Sequence, residues 1–479
     1  MSEIKINLEH SKPKPKKMIG FRHFQFVLLF LIQFVFFGMR TSLSVAIISM
    51  TEESPPSNSI STYPQWDNTD TILSSFFWGY IIPQVVAGQL SERYGPKWFF
   101  VVTMIAGSII NIAIPTMAQI LGSTGVIICR VLQGICQAFM YPGTHNLLSQ
   151  WTPVFERSLV ANFVYGGASL GIAVCMPVTG AISGSEMGWP VAFYIYGGLG
   201  IATAIIFIIW GENSPSDSTK ISKDEQKYIE ANTDISSGKK FPTPWKSILR
   251  SVPVYAMLVA GISQCWGCFT LLTEIPTYLS NIMNFDINSN SQLSALPYFA
   301  QFFVGLFISP LADFIAAKNI VTISTSRKIF NSLASYLPAA ALIYLAFLEN
   351  FETNLVITLL VITVSTSQFA QSGYWINLID IAPNHSATLL GMVNGTNNIF
   401  SLLAPLTVGF LGSDKKDPIL WRKVFLLAAV IYAVCGTFYV IFTSAEVQKW
   451  NNIEEDDEES DKGSVIIEKE KKTEFLPKC

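Results

Sequence analysis

Charge is scarce in this chain. Only 14% of its 479 residues are Asp, Glu, Lys or Arg, against about 25% in an average soluble chain. That is too little to clothe a soluble surface. The 31 basic and 34 acidic residues leave a net charge of -3, so the basic excess of a nucleic-acid binder is missing too. The chain has no H-E-x-x-H, no Walker loop and no Ser/His/Asp set beside its apolar runs, which argues against an enzyme and against ATP-driven transport. Cysteines number seven, six in apolar segments and Cys479 at the end, with none in a loop read as external. A disulfide framework is therefore excluded. Cys265 and Cys268 form a C-x-x-C, read as two small buried residues on one helix. The loop 51–70 carries no N-x-[ST] sequon; Asn394 begins one inside an apolar run.

What is abundant is apolar length. Half the residues are hydrophobic and 13% are aromatic, and the mean hydropathy is +0.40. A bilayer core about 30 Å thick needs about 20 helical residues. Windows of that size fall at 24–50, 71–91, 97–118, 124–149, 158–181 and 189–211. Six more fall at 251–280, 292–314, 328–348, 355–378, 387–412 and 422–445. The fold class is an all-α membrane protein of twelve transmembrane helices in two pseudo-symmetric six-helix bundles. The expected organisation is an N-terminal segment 1–23, a bundle 24–211, a linker 212–250, a second bundle 251–445 and an acidic tail 446–479. The first window is too long for a signal peptide, lacks a small-residue cleavage site and carries Arg40.

Lys and Arg set the orientation. With the N-terminus cytosolic, 25 basic residues lie inside and four outside (Lys415, Lys416, Arg422, Lys423); Arg40 and Arg130 lie within spans. Both termini are thus expected in the cytosol, in the plasma membrane by preference or in a vesicle or lysosome as the alternative. The linker stretch ENSPSDSTKISKDEQKYIE leaves room for an interfacial helix, and the tail run EEDDEES reads as a solvated tail.

The halves echo one another. GQLSERYGPK (Gly88 to Lys97) follows the second span, and SPLADFIAAK (Ser309 to Lys318) follows the eighth. Glu92 and Asp313 correspond. W-T-P-V-F-E-R-S follows the fourth span and D-I-A-P-N-H-S the tenth. Two parallel repeats joined by a long loop are a pattern of secondary transporters with a midplane site. The first loop resembles the G-x-x-x-D-R-x-G-R-[RK] signature of the major facilitator superfamily, with Glu92 for the acid and Pro96 for a basic residue. Gly88, Glu92, Arg93, Gly95 and Asp313 are its expected conformational latch. Glu92 can pair with Arg93 and with helix dipoles of the opposite bundle; an ordinary interfacial turn is the alternative. More narrowly, SSFFWGYIIPQ (74–84), RVLQGICQAFMYPGTH (130–145), TLLTEIPTYL (270–279) and DIAPNHSATLLGMVNG (380–395) resemble the anion:cation symporter family of sialin, the vesicular glutamate transporters and the sodium/phosphate cotransporters. TEIPTYL leans toward the phosphate-cotransporter branch.

Arg40 and Arg130 stand at similar depth in the first and fourth spans. A central Arg costs at least about 2.5–3.5 kcal/mol on insertion scales, so both should face protein or a watery cavity. Two guanidiniums there make an electropositive pocket suited to carboxylate or phosphate. The alternatives are backbone, lipid or buried-acid partners. The resemblance implies that the family's anion-binding arginines map onto Arg40 and Arg130. It also implies departures: Leu73 replaces a histidine, Gln137 a proton-coupling acid and Gln264 a basic residue. Gln264 and Tyr80 join the expected substrate set. His145, Glu274 and Gln137 are assigned to coupling or gating. For His145 a turn-holding hydrogen bond is the alternative to titration; for Glu274 it is a capped gate residue. Trp78, Trp266, Tyr278 and Tyr374 line the cavity or simply pack.

The leading function is a secondary-active, cation-coupled transporter of inorganic phosphate or a small organic anion, working as a monomer by alternating access. No cofactor is expected beyond a coupling Na+ or H+. The partners are the anion and the lipid bilayer, with no metal and no nucleic acid. A proton-linked vesicular or lysosomal carrier of sialate- or glutamate-like anions is the second reading, and a non-transporting anion sensor the third.

Overall fold

The computed structural model describes residues 20–51, 61–66, 68–233, 242–283, 287–318, 320–348, 352–411 and 417–452. The side chains of some helical residues, Glu274 among them, lie outside the described set, as does the acidic run of the tail. In chain order the helices are α1 Phe21–Met50, α2 Thr69–Ile81, α3 Gln84–Tyr94, α4 Lys97–Gln137, α5 Met140–Trp151, α6 Arg157–Ser183, α7 Trp189–Trp210, α8 Lys223–Ala231, α9 Trp245–Ile248, α10 Val252–Asn281, α11 Ile287–Ala317, α12 Ile323–Ala346, α13 Thr353–Thr366, α14 Ile376–Ile381, α15 Ser386–Leu411 and α16 Pro418–Phe442. Among the described residues there is no strand. Each of the twelve apolar windows is filled by helix.

Several windows are broken, and the breaks have local causes. α2 and α3 form one span bent by 42° at Ile82–Pro83, because a proline lacks the N–H that would continue the ladder. α4 holds the third window and the start of the fourth. It folds back at Gly122, whose φ of 60° strains any residue with a Cβ. Past Gly122 the fourth span runs on through α4 and α5, with Ala138 and Phe139 between them keeping helical angles. The tenth span runs through α13, a π-helical turn at Gln371–Trp375 and α14. Such π turns cluster at functional sites.

α1 packs on α6 and α7, and α4 on α2 and α7, forming the first bundle. α12 packs on α16 and α13, and α10 on α15 and α16, forming the second. The bundles meet where α6 lies against α11, and where α3 and α5 lie against α15. Gly88 on α3 is required there. A Cβ would sit 2.5 Å from the Ala387 carbonyl oxygen on α15, so the helices cross backbone to backbone. The seam along α6, α11 and α13 is polar. Ser169 donates to Gln301 at 3.3 Å, and Gln301 to Ser367 at 3.1 Å. Gln368 donates to Asn162 at 3.1 Å, and Asn162 to Ser372 at 3.0 Å.

The start of α1, the α3–α4, α5–α6 and α14–α15 turns, and the linker share one side, called the linker face below. The linker does contain a helix, α8. Ser222 caps it by accepting from Glu225 N at 3.3 Å. Glu225 in turn accepts the N–H groups of Phe21 and Arg22 at 3.0 and 3.1 Å, and Arg22 pairs with Glu156 at 3.3 Å. These bonds fasten α8 to the first bundle.

Candidate functional site

Arg40 lies about two-thirds of the way along α1, in an otherwise apolar helix. Its guanidinium is half-buried and surrounded by rings: Phe76 at 4.5 Å, Phe77 at 4.9 Å, Phe37 at 5.4 Å and Tyr80 at 5.5 Å from their centroids. Ring faces attract cations by about 0.5–2 kcal/mol each without neutralising them. Arg130 is 3% exposed and lies 5.0 Å from the same Phe76 ring. Its Nη1 donates to the Arg40 carbonyl and to Gln133 Oε1, both at 3.2 Å. Gln133 is held by Asn111, which anchors to the Phe193 carbonyl. The two cations thus share one aromatic partner but differ in their bonds: among the described residues the Arg40 guanidinium makes no hydrogen bond, while Arg130 spends Nη1 on the α1 backbone and Gln133.

Tyr80, 1% exposed, stacks on Phe76 at 5.4 Å and accepts from Asn394 Nδ2 of the second bundle at 3.1 Å. Asn394 also donates to Gln84 at 3.2 Å. The pocket wall is therefore wired across the bundle interface. Sequence had marked Asn394 only as a sequon. Its place in an apolar run at a glycine-rich helix start was the available signal.

Cys268 corrects the sequence reading. It is exposed and Cys265 partly so, and both lie within electrostatic reach of Arg40. Hydropathy averages over a helix and does not say which of its faces is covered. An anionic thiol reagent such as a sulfonatoethyl methanethiosulfonate should therefore label Cys268 faster than its cationic analogue, read by mass spectrometry. Equal rates would place the thiol outside the field of Arg40.

The remaining sequence candidates are placed as follows. Gln264 is buried and donates to the Ala334 carbonyl at 3.2 Å; it is turned toward α12 and not brought to the arginines. Gln137 donates to the Phe36 carbonyl at 3.2 Å. His145 is fully buried, with Nδ1 3.0 Å from the Tyr165 hydroxyl on α6. Tyr165, Tyr141, Tyr374 and Trp375 pack edge-on or tilted at 5.5–5.8 Å. They draw residues of both bundles into an aromatic floor between the arginines and the linker face.

Beneath that floor lie the two acids of the expected latch. Glu92 reaches from α3 across the interface and accepts from Thr388 N at 2.7 Å and Thr388 Oγ1 at 2.6 Å, the first turn of α15. Asp313 reaches from α11 the other way and accepts from Ser158 N at 3.1 Å and Leu159 N at 2.6 Å, the first turn of α6. Each acid caps the free N–H groups and positive dipole end of a helix in the opposite bundle. Gly88 permits the close approach beside Glu92. Gly95 ends α3 with φ 79°, and Arg93 is exposed at the linker face. Sequence analysis missed the third member. Asp380 takes Arg157 Nη1 at 2.8 Å and Arg327 Nε at 2.7 Å, and all three are under 6% exposed. Arg327 also donates to Ser158 Oγ and the Ser372 carbonyl, both at 3.0 Å.

Packed helical bundles, with two arginines sharing one aromatic ring and acids capping helices across one face, fit a membrane transporter. Its family follows from sequence comparison: the chain belongs to the Major Facilitator Superfamily, whose model matches residues 29–405. It is 35% identical over 481 residues to the "Putative inorganic phosphate cotransporter" of Drosophila melanogaster, covering 94% of this chain and 90% of that one. It is 33% identical over 453 residues to vesicular glutamate transporter 3 of Danio rerio, covering 92% and 76%. The proton:xylose symporter XylE has the same fold at a TM-score of 0.67 and 14% identity, covering 88% of this chain and 96% of that one. FucP in its outward conformation matches at 0.64 and 11%, covering 88% and 100%.

Proposed function

We propose that the protein is a cation-coupled symporter of inorganic phosphate or a small organic anion, with Arg40 as the primary anion-binding group. The observation that carries this is the half-buried Arg40 head, ringed by four aromatic side chains that leave its charge uncompensated. Arg130 adds field and holds α1 in place; Tyr80 reports occupancy to Asn394. The first bundle, 24–211, rocks against the second, 251–445. The excess of basic residues makes the linker face cytosolic, with both termini inside. Closed caps on that face then correspond to an outward-facing state, ready to take an anion from outside a plasma membrane. The single chain holds the whole pathway, consistent with a monomer.

Gln137 cannot carry a proton, which supports sodium as the driving ion. Uptake of radiolabelled phosphate into proteoliposomes under an inward sodium gradient should fall at least tenfold when choline replaces sodium. Flux that ignores sodium and follows an imposed pH gradient would instead support the vesicular proton-linked reading, which the likeness to vesicular glutamate transporters favours. Binding of phosphate without flux under any gradient would support the sensor.

A further inference from the structure

We propose that the groove between α12 and α16, at their linker-face ends, binds one anionic phospholipid, with the headgroup on Lys328 and an acyl chain along the groove. α12 starts at that face, where Arg327 reaches Asp380 and Ser158. α16 ends there, where Asn377 of α14 donates to the Thr443 hydroxyl. Between the two helices lies a cavity of about 350 Å³, walled by Ile329, Leu333 and Leu337 on α12 and by Val440 on α16, with Lys328 at its linker-face end. α12 packs on α16 and α13. The side it leaves uncovered carries Ile329 and Leu337, both exposed, as on a helix face that meets lipid tails.

The groove is polarised along its length. Among the described residues Lys328 is the only charged side chain of the lining, and it makes no ion pair. A lysine stem lies on apolar surface and carries its ammonium to headgroup level. At the other end, about 12 Å deeper along α12, the Tyr336 and Thr437 hydroxyls bond each other across the two helices at 2.8 Å. They satisfy one another and leave Lys328 as the headgroup's partner. Free inorganic phosphate would use Lys328 alone and leave the apolar length unfilled, so the occupant is a lipid. An acyl chain sits among apolar groups whether or not it enters the groove. The apolar lining therefore fixes where the chain lies, and Lys328 fixes which headgroup it carries. One lysine at a membrane surface favours an anionic lipid by about fivefold. Both helices belong to the second bundle, so the site does not depend on the transport reading.

The test is photo-crosslinking of the full-length protein in phosphatidylcholine nanodiscs. Phosphatidylglycerol or phosphatidylcholine carrying a diazirine in one acyl chain is added in trace amount, and adducts are mapped by mass spectrometry. The phosphatidylglycerol probe should mark Ile329, Leu333, Leu337 or Val440 about fivefold more than the phosphatidylcholine probe. Lys328→Gln should bring that ratio to about one while the protein keeps its gel-filtration profile, and Lys328→Arg should preserve it. Excess inorganic phosphate should leave the labelling unchanged. Equal labelling by the two probes in wild type, a preference that survives Lys328→Gln, or adducts spread evenly over the outer helices overturns the site. Displacement by free phosphate, or equal labelling by a diazirine fatty acid, overturns the phospholipid as its occupant.

Discussion

Arg40→Ala should reduce uptake of radiolabelled phosphate at least about thirtyfold in proteoliposomes while the protein reconstitutes normally. Removing one side of a buried, charge-paired contact costs about 2–5 kcal/mol, and about 2 kcal/mol already corresponds to that factor. Arg130 Nη1 is bonded to the Arg40 carbonyl and Gln133, and Gln264 faces Ala334. Arg40→Lys should recover part of the loss, because an ammonium restores the charge but not the two-pronged fork. Near-normal uptake by Arg40→Ala would remove Arg40 from the pathway and with it the phosphate reading.

Asp380→Ala should destabilise the linker-face-closed state by about 3–5 kcal/mol, the range for stripping one partner from a buried ion pair. The acid lies between Arg157 and Arg327, and its loss leaves two guanidiniums facing each other out of water. The measured signs are a lowered unfolding midpoint and faster labelling of a cysteine introduced at the linker face. Asp380→Asn should be milder on packing yet still open the face. Unchanged stability and labelling in both variants would mean that the caps of Glu92 and Asp313 hold the closure without the triad.

What was legible in the sequence was whatever breaks a pattern. Arg40 and Arg130 stood out because each is a lone charge in an apolar run, and Glu92 and Asp313 because two loops repeat the same spacing. The twelve windows gave the topology because each bilayer crossing demands continuous apolar length. Asp380 was hidden because its partners are 223 and 53 residues away, and Arg157 and Arg327 read as loop charges that set orientation. The exposure of Cys268 was hidden because hydropathy averages over a helix. Of the breaks, Pro83 announced the first. The π turn at Gln371–Trp375 carries no proline; it holds Gly373 at φ -92° and ψ -116°, which hydropathy does not announce.

The amides and hydroxyls of the α6–α11–α13 seam lower the cost of parting the bundles there. A greasy contact of the same extent would have to be torn open against the hydrophobic effect. Here the stitches are amides and hydroxyls. Each one that parts can be replaced by an entering water at nearly equal free energy. Along this strip the two halves can part like a wetted fastener, with less resistance than an apolar contact of the same extent would offer.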